Sequence, residues 1–367
     1  MIRILNSQYI QSKLKLVFCI SLCGHLVASF CPAQSIPQQY QVVDLGLSPV
    51  REIVHTPALN NKGDAAVWRS SNDTDARGVF FHAEQVTEFS GKPGFSLVYP
   101  ADVSDDGTVV GALQAPGDLR FTHAFIWRQG QLEVLPMDSG KYGAATAINR
   151  AGEIVGNAQA SNGAVHAVVW KAGQVQDIGL LAHGDYSEAR DINNQDKIVG
   201  AANIAPRGRP YAFTWKDGKM QTLPEVDGST FCNAQAINDQ DEIIGSCGFP
   251  PKGVLHGVLW RGDAITDLGI IGDLDETLSI PLDINNHAQI VGTCEIVDGK
   301  LRAFVWENGN MKDLNTLIPA DSGWLLSVAS RINDTGEILG RGYYRDGIHA
   351  FLLVPRPAPV PDGQSSK

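Results

Sequence analysis

The sequence carries none of the short signatures that mark common enzyme classes. There is no Gly-x-Ser-x-Gly elbow, no His-Glu-x-x-His pair, no phosphate-binding loop and no dinucleotide fingerprint. Nor is there a Cys-x-x-Cys spacing of the kind zinc sites use. No metal or cofactor is therefore expected, and any active site would have to be assembled from several loops. Charge is scarce, at 19% of residues, and short of the basic sign: 29 Lys and Arg stand against 40 Asp and Glu. A surface that negative repels phosphate backbones and anionic lipid, which argues against nucleic-acid and membrane-surface partners. Beyond residue 30 no run is apolar enough to span a bilayer. Sustained helical periodicity is missing too, which leaves an all-β reading. With 43% hydrophobic residues, the chain can still bury a large core.

The longest apolar run stands at the start. Arg3, Lys13 and Lys15 precede Leu16 to Phe30, and Cys31-Pro32-Ala33 puts small residues at −3 and −1 of a cut before Gln34. That order predicts a signal peptide over 1–33, then a short leader, 34–39, and an exported protein, secreted, periplasmic or at the cell surface. A 15-residue run holding Ser, Gly and His is short for a membrane anchor. Removing the three basic residues from the 29 leaves 26 against 40 acids, a net charge of −14 on a chain expected to be a soluble monomer.

The rest of the chain is dominated by repetition. Four blocks recur in fixed order. One copy reads Ala147-Ile148-Asn149, Ile154-Val155-Gly156, His166-Ala167-Val168-Val169-Trp170 and Asp177-Ile178-Gly179. The next has Asp191-Ile192-Asn193, Ile198-Val199-Gly200, Tyr211-Ala212-Phe213-Thr214-Trp215 and Thr222-Leu223-Pro224. The third position of the first block falls at Asn60, Ser104, Asn149, Asn193, Asn238, Asn285 and Asn333, in steps of 44, 45, 44, 45, 47 and 48 residues. That makes seven copies. Short apolar blocks split by Asn, Asp and Gly read as strands, so each copy is expected to be a four-stranded unit of about 45 residues, the size of one propeller blade.

The two ends are complementary. The last copy stops after His349 to Pro355 and lacks a fourth strand, while Tyr40 to Gly46 is a fourth-strand block without its three predecessors. Laid side by side they complete a seventh blade and remove two exposed sheet edges. The expected fold is thus an all-β, seven-bladed β-propeller of four-stranded blades over 40–355, with a Pro-rich disordered tail at 356–367. An open solenoid is the alternative.

These residues resemble the extracellular HAF-repeat family, named for the triplet seen at His123-Ala124-Phe125 and His349-Ala350-Phe351. The resemblance covers roughly Tyr40 to Pro355 and rests on Ile-Asn, Ile-Val-Gly and Ala-Phe-x-Trp recurring in order. It implies a secreted or surface bacterial protein with no assigned chemistry. Many members end in a Pro-Glu-Pro sorting tail with an apolar segment; Pro355 to Pro361 is Pro-rich but has no such tail.

Individual residues refine the expectation. Cys232 and Cys247 stand at nearly matching distances on either side of the Asn238–Glu242 turn, which predicts a cross-strand disulfide. Cys294 aligns with Cys247, but Ser279 takes its partner's place, so a free buried thiol is expected. His123, His166, His256 and His349 share one repeat position, too spread out for a common metal, and read as packing residues. Asp191 to Asp196 superficially resembles a calcium loop but lacks the closing Glu and recurs as a turn. The loops joining fourth to first and second to third blocks lie opposite the tight hairpins. On that loop face the repeat does not dictate Tyr142, His183, Asp185, Tyr186, Arg207, Asp273, Asp275, Trp324 and Tyr344. Aromatics interleaved with charge suit a carbohydrate or protein ligand. A binding scaffold is the expected function. The alternative is a hydrolase or lyase acting on extracellular polysaccharide, with pairs such as Asp185 and Glu188, or Asp273 and Asp275, as acid and base.

Overall fold

In a computed structural model, which describes residues 39–47, 57–72, 75–83, 85–137, 142–272, 277–296, 299–345 and 347–356, the Asn of each Ile-Asn block organises the turn behind it. Asn193 Oδ1 accepts from the Gln195 and Lys197 amides at 3.1 and 3.0 Å, while Asn193 N donates to Lys197 O at 3.1 Å. The same side-chain pattern recurs at Asn60, Asn238, Asn285 and Asn333. These are Asx turns, in which a side chain stands in for a backbone acceptor. The loop then needs one residue at positive φ, supplied by Gly63, Gly107, Gly152, Asp196, Asp241, Ala288 and Gly336. The turn residues of the calcium-like segment are thus spent on the hairpin. Third and fourth strands join through pairs such as Ala172-Gly173 and Asn308-Gly309, both at positive φ, the conformation of a two-residue hairpin turn.

Flanked by these turns, the copies form four-stranded antiparallel sheets. In the third copy the order is Gly143–Ile148, Ile154–Gln159, Val165–Lys171 and Gln174–Gly179. The fourth, fifth and sixth copies repeat it. The first two share one eight-stranded sheet, linked by a single parallel bridge from Ala76 to Leu97. The last sheet runs Trp324–Ile332, Ile338–Tyr344, Gly347–Pro355 and finally Tyr40–Leu47. Tyr40 pairs with Pro355 and Leu47 with His349, so the two end segments share a sheet as their complementarity requires.

The Gly of each Ile-Val-Gly block has a steric cause. The first strand carries a bulge opposite it, for example between Ala189 and Asp191. A Cβ on Gly200 would lie 1.9 Å from Glu188 O, and one on Gly156 2.0 Å from Ala144 O. Val67 fills the place in the first copy, whose first strand among the described residues is Ala58–Leu59.

Each sheet packs on the next through its alternating apolar residues. One cluster joins Val155 and Val169 of the third copy to Ile192, Ile198 and Phe213 of the fourth. Another joins Val291 and Val305 to Leu326, Phe351 and Leu353. Burying a Phe in such a seam contributes about 2–3 kcal/mol. The repeat Trp reaches backwards: Trp170 and Trp260 Nε1 donate to Pro136 O and Pro224 O, at the end of the preceding copy's last strand. Cys232 and Cys247 are register partners and form the disulfide, and Cys294 is a free buried thiol, both as the sequence implies. No helix of the described residues is long and apolar enough to cross a membrane. The signal-peptide region 1–33, most of the leader and the tail beyond Arg356 lie outside the described residues.

Candidate functional site

The repeat histidine packs, with His166 and His349 buried, and also bonds to the next strand. His166 Nδ1 lies 2.6 Å from Asp177 Oδ2, and the other carboxylate oxygen accepts from Gly179 N at 2.8 Å. His256 with Asp267 repeats the arrangement, and at Asp44 both His349 Nδ1 and Gly46 N meet Oδ1, each at 2.9 Å. The His block and the Asp-Leu-Gly block are thus two halves of one bond that fixes the outer strand. In the sixth copy Arg302 takes the histidine's place, 3.7 Å from Asp313. No group of three or more His, Cys, Asp or Glu among the described residues could hold a metal ion.

The first strands of all copies line a polar cavity of about 200 Å³. Asp102, Asp191 and Asp283 face it from alternate copies, and each carboxylate bridges two copies. Asp191 Oδ1 accepts from Ile192 N and Oδ2 from Ile237 N, both at 2.8 Å. Asp102 does the same with Val103 and Ile148, and Asp283 with Ile284 and Ile332. Burial disfavours their charged forms. It lifts Asp191 to about 8, opposed by the Ile237 amide and reinforced by the charges of Asp102 and Asp283. Asp283 rises to about 6 from burial, with Arg331 pulling the other way, and Asp102 is raised for the same reasons. Arg331, aligned with these acids in the seventh copy, donates to Ala101 O and Ser330 O at 3.0 Å. The sequence showed these acids only as a variable position before each Ile-Asn.

At the loop-face end of the same strands, Tyr186 OH donates to Glu188, Arg190 Nε donates to Glu188 Oε1 at 2.7 Å, and Arg190 Nη1 reaches Gln235 Oε1 at 2.7 Å. Burial and the Glu188 charge raise the pKa values of Tyr142 and Tyr186. These two expected site residues are thus brought together around Glu188. Asp185 is exposed but engaged: Asn203 Nδ2 donates to it at 2.6 Å and Arg207 N at 3.2 Å. The Asn203 bond above all holds its pKa below the usual value. His183 is exposed nearby, while Asp273 and Asp275 lie outside the described residues.

Trp324 and Tyr344 stack face to face in the seventh copy, with centroids 4.5 Å apart and planes at 7°, and Arg345 lies 4.8 Å above the Tyr344 ring. Register explains the meeting, since Trp324 and Tyr344 are cross-strand partners. A cavity of about 290 Å³ opens among the loop-face ends of the sixth and seventh copies. Lys300 and Arg302 line one side, and Leu325, Arg341, Tyr343 and Ile348 the other. Tyr343 is 56% exposed at its lip. Desolvation lowers the pKa of Arg341, although arginine stays charged at any physiological pH. Sequence reasoning left Lys300 and Arg341 out of the site, because the repeat does not tell which side chains meet across the seam between two neighbouring copies.

No family model matches the chain, and no curated protein does in sequence. Solved structures do. A Mycobacterium tuberculosis puromycin-hydrolyzing peptidase is 12% identical with a TM-score of 0.56; the match covers 88% of this chain and 54% of that one, so the chain spans about half its length. The β-propeller domain of the Trilobed protease from Pyrococcus furiosus is 12% identical, TM-score 0.54, over 82% and 94% of the two chains. An oligogalacturonate lyase from Vibrio parahaemolyticus is 10% identical, TM-score 0.52, over 86% and 97%. At such identities the likeness speaks for architecture alone, and with the four-stranded antiparallel sheets it shows a β-propeller fold.

Proposed function

We propose that the seven copies are the blades of a closed ring, and that the protein is an exported binding or interaction scaffold working through its loop face. Several contacts between the first and seventh copies support closure. Asp334 N donates to Asn61 Oδ1 at 2.8 Å, and Val43, Leu339 and Leu352 pack with Leu59, Ala65 and Phe81. The Pyrococcus propeller is described as having an open velcro topology, so closure rests on these contacts and not on likeness. The disulfide supports export, since such bonds persist in oxidising compartments. With the segment 1–33 read as a signal peptide, the chain fits a secreted or periplasmic HAF-repeat protein.

One observation carries the loop-face reading: the cavity between the sixth and seventh copies, set on paired strands. Groups held on strands are positioned more rigidly than groups on loops, which favours binding. The described acids of the polysaccharide-cleaving alternative are already engaged, Asp185 by Asn203 and Glu188 by Tyr186 and Arg190, an arrangement suited to holding shape. A glycan-array screen of the purified protein, followed by hydrogen-exchange mapping with any hit, tests the reading. Protection at 324–326 and 341–348 without product formation is the expected result. Protection confined to the hairpin turns would overturn it, and turnover lost on Glu188→Gln would establish the enzyme instead.

A further inference from the structure

We infer that Arg331 is a strap across the first copy: it ties the seventh copy directly to the second on the channel side, and the first copy is the part of the ring that opens when the strap is lost. This rests on the closed-ring reading and adds where such a ring yields. Two residues before the third position of each Ile-Asn block stand Ala58, Asp102, Ala147, Asp191, Ala236 and Asp283, and then Arg331. Alanine and aspartate alternate until the seventh copy, and an alternation of two cannot close on an odd number of copies. Each Asp clasps the copy after it, accepting from the amide of Ile148, Ile237 or Ile332. The clasps sort six copies into three pairs: second with third, fourth with fifth, sixth with seventh. The first copy belongs to none. The Ala58 side chain has no acceptor to offer the second copy, and the Arg331 side chain, which only donates, cannot take an amide of the first.

Arg331 reaches past the first copy instead. Its Nη2 donates to Ala101 O in the second copy at 3.0 Å, 230 positions away, and its Nη1 to Ser330 O in its own copy at 3.0 Å. Stacked repeat units ordinarily contact only their neighbours. A long guanidinium can span one here because the first strands of all copies converge on one polar cavity. Its charge acts on Asp102 and Asp283. Those acids are the clasps of the first and last pairs, so the strap joins the two ends of the row. Arg190 makes the contrast, serving one seam only: Nε donates to Glu188 of its own copy and Nη1 to Gln235 of the next. Without the strap the first copy still has the Asn333 and Asp334 bonds on the turn face and the apolar seam with the seventh. The expected consequence is local opening rather than global unfolding.

Hydrogen exchange followed amide by amide in the whole exported chain tests this. In Arg331→Met, protection in Ala65–Asn72 and Asp75–His82 is expected to fall roughly ten- to a hundredfold, as the loss of one charged hydrogen bond implies, while Ile198–Asn203 of the fourth copy keeps its protection. In Arg190→Met the loss should fall on the fourth and fifth copies and spare the first. Should Arg331→Met fail to fold, Arg331→Lys, which keeps the charge but not the planar fork, is expected to show a smaller loss in the same strands. Protection lost evenly over all copies, unchanged in the first, or lowered there equally by the substitutions at 331 and 190 overturns the strap. The parent protein decides the underlying reading separately, through the Asp334 amide that donates to Asn61 Oδ1. If that amide exchanges as fast as an unbonded one, the ring is open between its seventh and first copies, and strap and closure fall together. If it is protected while the first copy ignores Arg331→Met, the strap falls and the closed ring stands.

Discussion

Asn333 Nδ2 donates to the backbone carbonyl of Asn60 at 3.1 Å, joining residues 273 positions apart in the chain. Equivalent bonds run from Asn60 to Ser104, Asn149 to Asn193, Asn193 to Asn238, Asn238 to Asn285 and Asn285 to Asn333. Ser104 has no amide with which to continue toward Asn149. Asn333→Ala should therefore destabilise the protein by about 2 kcal/mol, because it strands buried acceptors. Ser104→Asn should add about 1 kcal/mol by supplying the missing link. Denaturant titration measures both, and a stabilising Asn333→Ala would sink the account.

The strand glycines should be intolerant for a steric reason. Gly200→Ala drives a Cβ into Glu188 O, so a loss of at least about 2 kcal/mol is expected, from backbone displacement against a packed neighbour. Val67→Gly, in the copy that already carries a Cβ at this position, should cost no more than about 1 kcal/mol. Comparable losses at the two positions, by thermal melting, would refute the bulge argument.

Asp191 makes stability depend on pH in a definite direction. Its folded pKa, about 8, lies above the ordinary carboxylate value of 3.8. The native state therefore holds a proton that the unfolded chain has released, and this contribution is complete below about pH 4 and lost as pH rises through about 8. Asp191→Asn should lower stability at pH 5, where the parent acid is neutral, yet flatten the decline between pH 5 and 9. An unchanged slope in a series of melts would show that the acid is ionised throughout.

The Cys232–Cys247 bond closes a loop with a sequence separation of 15. Replacing both with Ser should cost about 3 kcal/mol on the loop-entropy estimate. Unfolded, unreduced protein starting at residue 34 should show one thiol to a titrating reagent, from Cys294. Three thiols would disprove the bond.

Much of this architecture was legible because each repeat block has a local cause. The Asn of Ile-Asn closes its own turn, the Gly after Ile-Val avoids its own neighbouring strand, and Cys232 faces Cys247 across a single hairpin. The packing of the histidine was legible but its bond was not, since its Asp partner arrives on the next strand and is absent from the copy with Tyr211 and Thr222. The candidate site was half seen. Trp324 and Tyr344 stood out as departures from the pattern, and Tyr142 and Tyr186 did meet. Arg302 looked like repeat drift, and Lys300 and Arg341 were passed over.

The order of strands, the turns, the disulfide and the pairing of the two ends were written in the sequence, because a hairpin's register depends on residues a few positions apart. Which side chains meet between neighbouring sheets was decided only in three dimensions. Contacts such as Asp191 with Ile237, or Lys300 and Arg341 around one cavity, depend on how twisted sheets abut, and period-two alternation within a strand says which face a residue takes but not what lies opposite it.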